Sequence, residues 1–182
     1  MDFKLVTEKL SDAFEQHKVH YALIGGYAVS LWGIPRATVD LDFLVRRDDM
    51  DKVREITESL GYYCIHTSEN VTQFDAVDTV LGEVDFLHAF RPASLAMLER
   101  AELKTVFDGQ QPIPVILPED LIGLKVQALA NKPSRTAVDK ADIEGLMQIC
   151  GDQLDWQRVA GYFALFEMSE LYLELKERYH AR

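Results

Sequence analysis

Residues 21–45 constrain the fold more tightly than any other stretch. Tyr21-Ala-Leu-Ile24 is apolar and runs directly into Gly25-Gly26. After a short helical segment comes Arg36-Ala-Thr38-Val-Asp40-Leu-Asp42-Phe-Leu-Val45, with two aspartates inside an apolar run. In a strand, side chains at i and i+2 share a face. A strand over 38–45 therefore points Asp40 and Asp42 one way, and Val39, Leu41, Phe43 and Val45 the other. The apolar set makes a core face. The like charges of the acidic set repel, so the pair is unfavourable without a cation. The plainer reading is an edge-strand face with two solvated acids.

The surrounding text sorts into elements by period and punctuation. Leu5, Val6, Leu10, Ala13 and Phe14 recur at helical spacing and predict a helix ending near His17. Residues 27–32 predict a helix that starts at the glycines and is stopped by Gly33-Ile-Pro35. Asp48 is the expected N-cap of a helix through Leu60, and Gly61 its stop. Residues 62–66 read as a strand. Residues 72–77 and 83–89 read as a hairpin around Gly82, and 104–107 with 113–116 as a second hairpin around Asp108-Gly109. A helix over 93–100 separates the two. Beyond Pro118 the text is helical throughout, over 119–130, 137–149, 156–166 and 169–178, with a break at 132–135. The expected architecture is α/β (α+β): a mixed β-sheet core with packed helices over 1–116, then a C-terminal helical region over 117–182 packed on that core.

Composition narrows the function classes. The 182 residues suffice for one domain with a real core. Thirty acids against 19 bases give a formal charge of −11, which repels nucleic acid at long range. No apolar run is long enough to span a bilayer, and the opening residues lack a signal-peptide core, so a cytoplasmic, non-membrane protein is expected. Cys64 and Cys150 lie far apart and read as two buried thiols rather than metal ligands.

Several residues can carry chemistry. A strand, two glycines and a helix start let backbone N–H groups approach a phosphate, although the same glycines also simply permit a tight turn. Carboxylates at Asp40 and Asp42 suit Mg²⁺, which takes hard oxygen ligands shared with substrate phosphates. A third acid is best placed at Asp85 within Glu83-Val-Asp85-Phe-Leu87, where it interrupts core-like Val84, Phe86 and Leu87. Asp85 is the expected third metal ligand or general base. Glu83 competes with it, and Asp75 and Asp78 read as solvated hairpin acids. Lys125, inside the apolar stretch of Leu121, Ile122, Leu124, Val126 and Leu129, needs an anion or a route to water. His66 and His88 read as ordinary strand histidines.

Gly-Gly, then Asp-hydrophobic-Asp, then a later strand aspartate resembles the polymerase-beta-like nucleotidyltransferase superfamily. Leu23-Ile-Gly25-Gly26-Tyr-Ala28 and Arg36-Ala-Thr38-Val-Asp40-Leu-Asp42-Phe are most similar to its minimal group, which includes the AbiEii-type toxins and small antibiotic nucleotidyltransferases. Leu117-Pro118-Glu119-Asp120-Leu-Ile-Gly-Leu-Lys125 is similar to the AbiEii-type helix whose lysine faces the nucleotide. Arg135, Asp139, Lys140 and Asp142 fall where that group has a basic–acidic element. Gly26 stands where the superfamily often has serine.

The resemblance implies that Gly25, Gly26, Arg36, Thr38, Lys125 and Asp142 bind the nucleotide, that Asp40, Asp42 and Asp85 hold Mg²⁺, and that these three acids with Lys125 are catalytic. The expected reaction moves a nucleoside monophosphate from an NTP to an acceptor hydroxyl on a small molecule, a protein or a tRNA. The acidic balance disfavours tRNA. A small antitoxin-like protein is an implied partner. The alternative is a catalytically silent nucleotide-binding or interaction module on the same fold.

Overall fold

The computed structural model describes residues 1–107, 109, 111–131 and 136–179. Asp108 of the second hairpin turn, the break at 132–135 and with it Arg135 lie outside the described residues. The chain divides into two compact units, one of Met1–Ala28 with Arg36–Ile116, the other of Val29–Pro35 with Leu117–Arg182.

The first unit is built on a seven-stranded mixed sheet. Its strands are β1 (Tyr21–Ile24), β2 (Leu41–Arg46), β3 (Tyr62–Thr67), β4 (Val71–Ala76), β5 (Val84–Ala89), β6 (Glu102–Val106) and β7 (Gln111–Val115). They lie in the order β3-β4-β5-β2-β1-β7-β6. β2 runs antiparallel to β1 and parallel to β5, and both expected hairpins form, β4 with β5 and β6 with β7. Helices α1 (Phe3–Gln16), α3 (Met50–Ser59) and α4 (Pro92–Arg100) belong to this unit, and α2 (Gly25–Leu31) begins in it. One sheet face is aromatic. The fully buried Phe14 of α1 meets Tyr21, Phe43 and Phe86 edge-on at 4.9–6.0 Å, and Phe43 stacks on Phe86 across β2 and β5. Such pairs add about 0.5–1.5 kcal/mol each beyond their burial. They commit this face to packing and turn the alternate residues of β2, β4 and β5 to the other side.

The second unit contains α5 (Pro118–Asn131), α6 (Thr136–Cys150), α7 (Trp156–Leu165) and α8 (Ser169–Tyr179). α7 packs on α5 at Gly123, where a Cβ would come within 2.7 Å of the Tyr162 ring. Tyr162 donates its hydroxyl to Asp120 Oδ1 at 2.6 Å, and Arg158 pairs with the buried Glu119 at 2.6 Å.

Residues 29–35 group with the C-terminal helices: Ile34 lies against Gly145 and the Cys150 thiol reaches the Trp32 carbonyl at 3.8 Å. Two expectations need correction. Asp48 is not the cap of α3. A short 3-10 turn over Arg47–Asp49 precedes that helix, and Asp49 occupies the cap position with its carboxylate engaged elsewhere. Cys150 is buried as expected, but Cys64 is only half-buried, near the sheet edge.

Candidate active site

β2 begins at Leu41, not at Thr38. Thr38 donates its hydroxyl to Asp40 Oδ1 at 2.6 Å, a local side-chain bond that competes with strand pairing. The chain bends at Val39 and Asp40, and the ladder to β5 starts only where Leu41 N–H bonds Glu83 O. Val39, expected on the core face, is 81% exposed, while Leu41, Phe43 and Val45 are buried. Asp42 is therefore a strand residue, and Asp40 is held at the strand mouth by Thr38.

Asp42 and Asp85 are register partners on parallel neighbours, so their side chains share the non-aromatic face. The row continues outward. Asp85 is opposite Gln73 on β4, and Gln73 is opposite His66 on β3. His66 reaches this row through a β-bulge. Cys64 pairs with Phe74, then the register shifts by one residue before His66. Without the extra Ile65, His66 would face the buried Thr72.

On the other flank of Asp42, β1 ends at Ile24 and Gly25 turns the chain into α2 with φ +69°. A Cβ at Gly25 would overlap the Asp42 carboxylate, so only glycine permits this approach. Gly26 is buried under the following loop, with Thr38 at 3.0 Å from where its Cβ would stand. Arg36, half-buried, donates from Nη1 to the Ala37 carbonyl.

The electrostatics separate Asp85 from an ordinary surface acid. Burial pushes its carboxyl pKa up, the Gln73 amide 2.6 Å from Oδ2 pulls it down, and the charges of Asp40 and Glu83 push it up again, with a small opposing pull from His66. The net direction is upward. Asp75 accepts from the Tyr63 hydroxyl at 3.1 Å, and Asp78 Oδ1 accepts from Val80 N–H at 3.0 Å, both in hairpin roles. His88 is held by Thr72 at 3.0 Å and Glu69 O at 2.9 Å, and burial lowers its pKa, as suits a structural strand histidine.

Among the described residues, no three or more His, Cys, Asp or Glu side chains gather as a ready-made metal site. The donor set nevertheless fits a hard divalent cation. It consists of carboxylates, and the upward shift of Asp85 beside Asp40 is of the kind that a neighbouring cation relieves.

Lys125 and Asp142 belong to the second unit. Lys125 is 7% exposed on α5, and its Nζ lies 3.1 Å from Asp139 Oδ1 and 2.8 Å from Asp142 Oδ2 on α6. The anion that a lysine in an apolar helix needs is supplied here by the chain's own carboxylates. The residue missed in the sequence is Gln73. A lone glutamine in a hairpin carries no signal until the β4–β5 register sets it opposite Asp85.

A model of the family described as nucleotidyl transferase AbiEii toxin, type IV TA system, matches residues 8–165. No curated protein matches the chain. Among solved structures, the chain is similar to the solution structure of the antibiotic-resistance factor ANT(2'')-Ia, with 18% identity, a TM-score of 0.66 and 100% of both chains covered. It is also similar to the lincosamide antibiotic adenylyltransferase LnuA with lincomycin bound, at 22% identity and TM-score 0.58, covering 80% of this chain and 97% of that one. A putative nucleotidyltransferase from Thermotoga maritima matches at 15% identity and TM-score 0.50, covering 77% of this chain and 92% of the other. Identities this low carry the fold alone.

Proposed function

The chain belongs to the AbiEii nucleotidyltransferase family, and we propose that it moves a nucleoside monophosphate from an NTP to an acceptor hydroxyl at a site of Asp42 and Asp85 on paired strands with Asp40 at the strand mouth. The observation that carries this reading is the pairing of Asp42 with Asp85 on one sheet face, with Asp40 at the strand mouth and Gly25 turned against Asp42. Asp40 and Asp42 would hold Mg²⁺, with Asp85 as third ligand or base. A divalent ion there supplies charge neutralisation on the triphosphate and alignment for in-line displacement.

The residues have separable tasks. Thr38 orients the Asp40 carboxylate through its hydrogen bond. The turn at Gly25-Gly26 brings backbone close to the Asp42 carboxylate and to Thr38, and on the family pattern its N–H groups would face the triphosphate. Asp85 has Oδ2 occupied by Gln73, so Oδ1 is the atom that takes the acceptor's proton. Its raised pKa, caused first by burial, makes it a stronger base than a solvated aspartate. The acceptor oxygen bonds the α-phosphorus as the bond to pyrophosphate breaks, and the proton leaves on Asp85. Arg36, Lys125 and Asp142 remain candidate nucleotide contacts on the family pattern. Lys125 would then serve with Asp139 and Asp142 as one charged unit.

Charge favours an acceptor that is not a polynucleotide. The chain carries −11, and Asp75 and Glu83 add carboxylates beside the row. That balance favours a small hydroxyl compound or a protein over tRNA as the acceptor. An antitoxin-like partner is supported by family membership alone. No described helix is long and apolar enough to cross a membrane.

The test is transfer of label from α-³²P NTPs in Mg²⁺ to a panel of tRNA, protein and small hydroxyl compounds. Label on a small hydroxyl compound or a protein rather than on tRNA, and loss of label in Asp40→Ala/Asp42→Ala, are expected. Nucleotide binding with no transfer across the panel would instead favour a silent binding module.

A further inference from the structure

Gln73 touches Asp85 directly and has no part in the family pattern. Its Nε2 stands 2.6 Å from Asp85 Oδ2, between half-buried side chains on directly paired strands. An ionised carboxylate is acceptor-only, so the amide must present its N–H₂ rather than its oxygen. The bond therefore selects one amide orientation and one carboxylate orientation together. It also engages Oδ2, which leaves Oδ1 as the oxygen that Gln73 does not hold.

The strand edge is shaped around this contact. The bulge before His66 sets a polar side chain opposite Gln73, where unbroken pairing would set Ile65. Gln73 thus has Asp85 on one side and His66 on the other, all on the open face. A glutamine that merely filled space between strands would need neither the register match with the acid nor the short amide–carboxylate bond.

We propose that Gln73 is a positioning residue for nucleotidyl transfer, holding Asp85 by Oδ2 so that its other oxygen is directed into the Asp40–Asp42 site. The inference rests on the reading of Asp85 as a member of that site. Groups that orient metal-binding carboxylates are typically worth about 10–100-fold in metal affinity or activity.

The experiment is calorimetry on the full chain with Mg²⁺ and a non-hydrolysable ATP analogue. Gln73→Leu keeps the bulk and removes the donor. We expect its affinity for the Mg²⁺–analogue pair to fall about tenfold while the melting temperature stays near that of the parent. In an Asp85→Asn background the same change should cost nothing further, because Gln73 acts through that carboxylate. Gln73→Asn, one methylene too short to reach, should behave like Gln73→Leu and serves if the latter fails to fold. Parent affinity in these variants, or an equal loss in both backgrounds, overturns the proposal. A parent chain that binds no Mg²⁺–analogue overturns the functional reading itself, and this inference falls with it.

Discussion

Asp49 and Asp85 are two carboxylates of the same unit with opposite fates. Asp49, 5% exposed, is surrounded by donors. Lys52 Nζ lies 2.7 Å from Oδ1, and the His20 backbone N–H and ring Nδ1 lie 3.0 and 2.9 Å from Oδ2. Burial alone would raise its pKa, but these bonds overcome it and hold the group at about 2. Asp85 is half-buried, its hydrogen-bond partner is a neutral amide, and its charged neighbours include Asp40 and Glu83, so its pKa moves up. One carboxylate is completed by the fold. The other stores negative charge that a bound cation would settle. Buried acids that are structural and acids that await a ligand are thus told apart by who compensates them.

The largest break in this comparison should come from Asp40→Asn/Asp42→Asn. Nucleotidyl transfer is expected to fall by about 10³-fold or more, with the melting temperature unchanged or raised because like charges are removed. Transfer assays beside thermal unfolding read both. Gly25→Ala comes next. The left-handed backbone costs roughly 1–2 kcal/mol and the new methyl overlaps Asp42, so stability and Mg²⁺–nucleotide binding should fall together.

Asp49→Asn should do the reverse of the Asp40/Asp42 change. It should cost about 2 kcal/mol of stability at neutral pH and leave transfer per folded molecule intact. The sign follows from a depressed carboxylate pKa, 3.8 unfolded and about 2 folded. The stabilisation is present above about pH 4 and is lost as pH falls through about 2. Denaturation of parent and variant should therefore converge at acid pH, and a gap that widens there would break the account. Thr38→Val is the smallest effect, about tenfold in transfer with little change in stability, since only the orientation of Asp40 is released.

Local elements were legible in the sequence because period and punctuation encode them. The strand at Tyr21–Ile24, the helix ending near His17 and the four C-terminal helices form where the apolar spacing predicts them. Features set by distant partners were not legible. Nothing local reveals that β2 pairs with β5 in parallel, which is what sets Asp42 beside Asp85, or that β4 brings Gln73 alongside. Thr38 illustrates a local competitor that alternation overlooks. Its hydroxyl captures Asp40, the strand starts late, and Val39 is left in solvent. The same holds for Asp49, where His20, 29 residues earlier in the chain, supplies two of the bonds that make it a structural acid rather than a simple helix cap.

The most direct test of the central claim is a crystal structure of the chain with Mg²⁺ and a non-hydrolysable NTP. The account predicts an ion about 2.0–2.1 Å from carboxylate oxygens of Asp40 and Asp42, shared with the triphosphate, and with Asp85 facing it. A triphosphate bound away from the Gly25 turn, or an ion that leaves Asp40 and Asp42 unliganded, would contradict it.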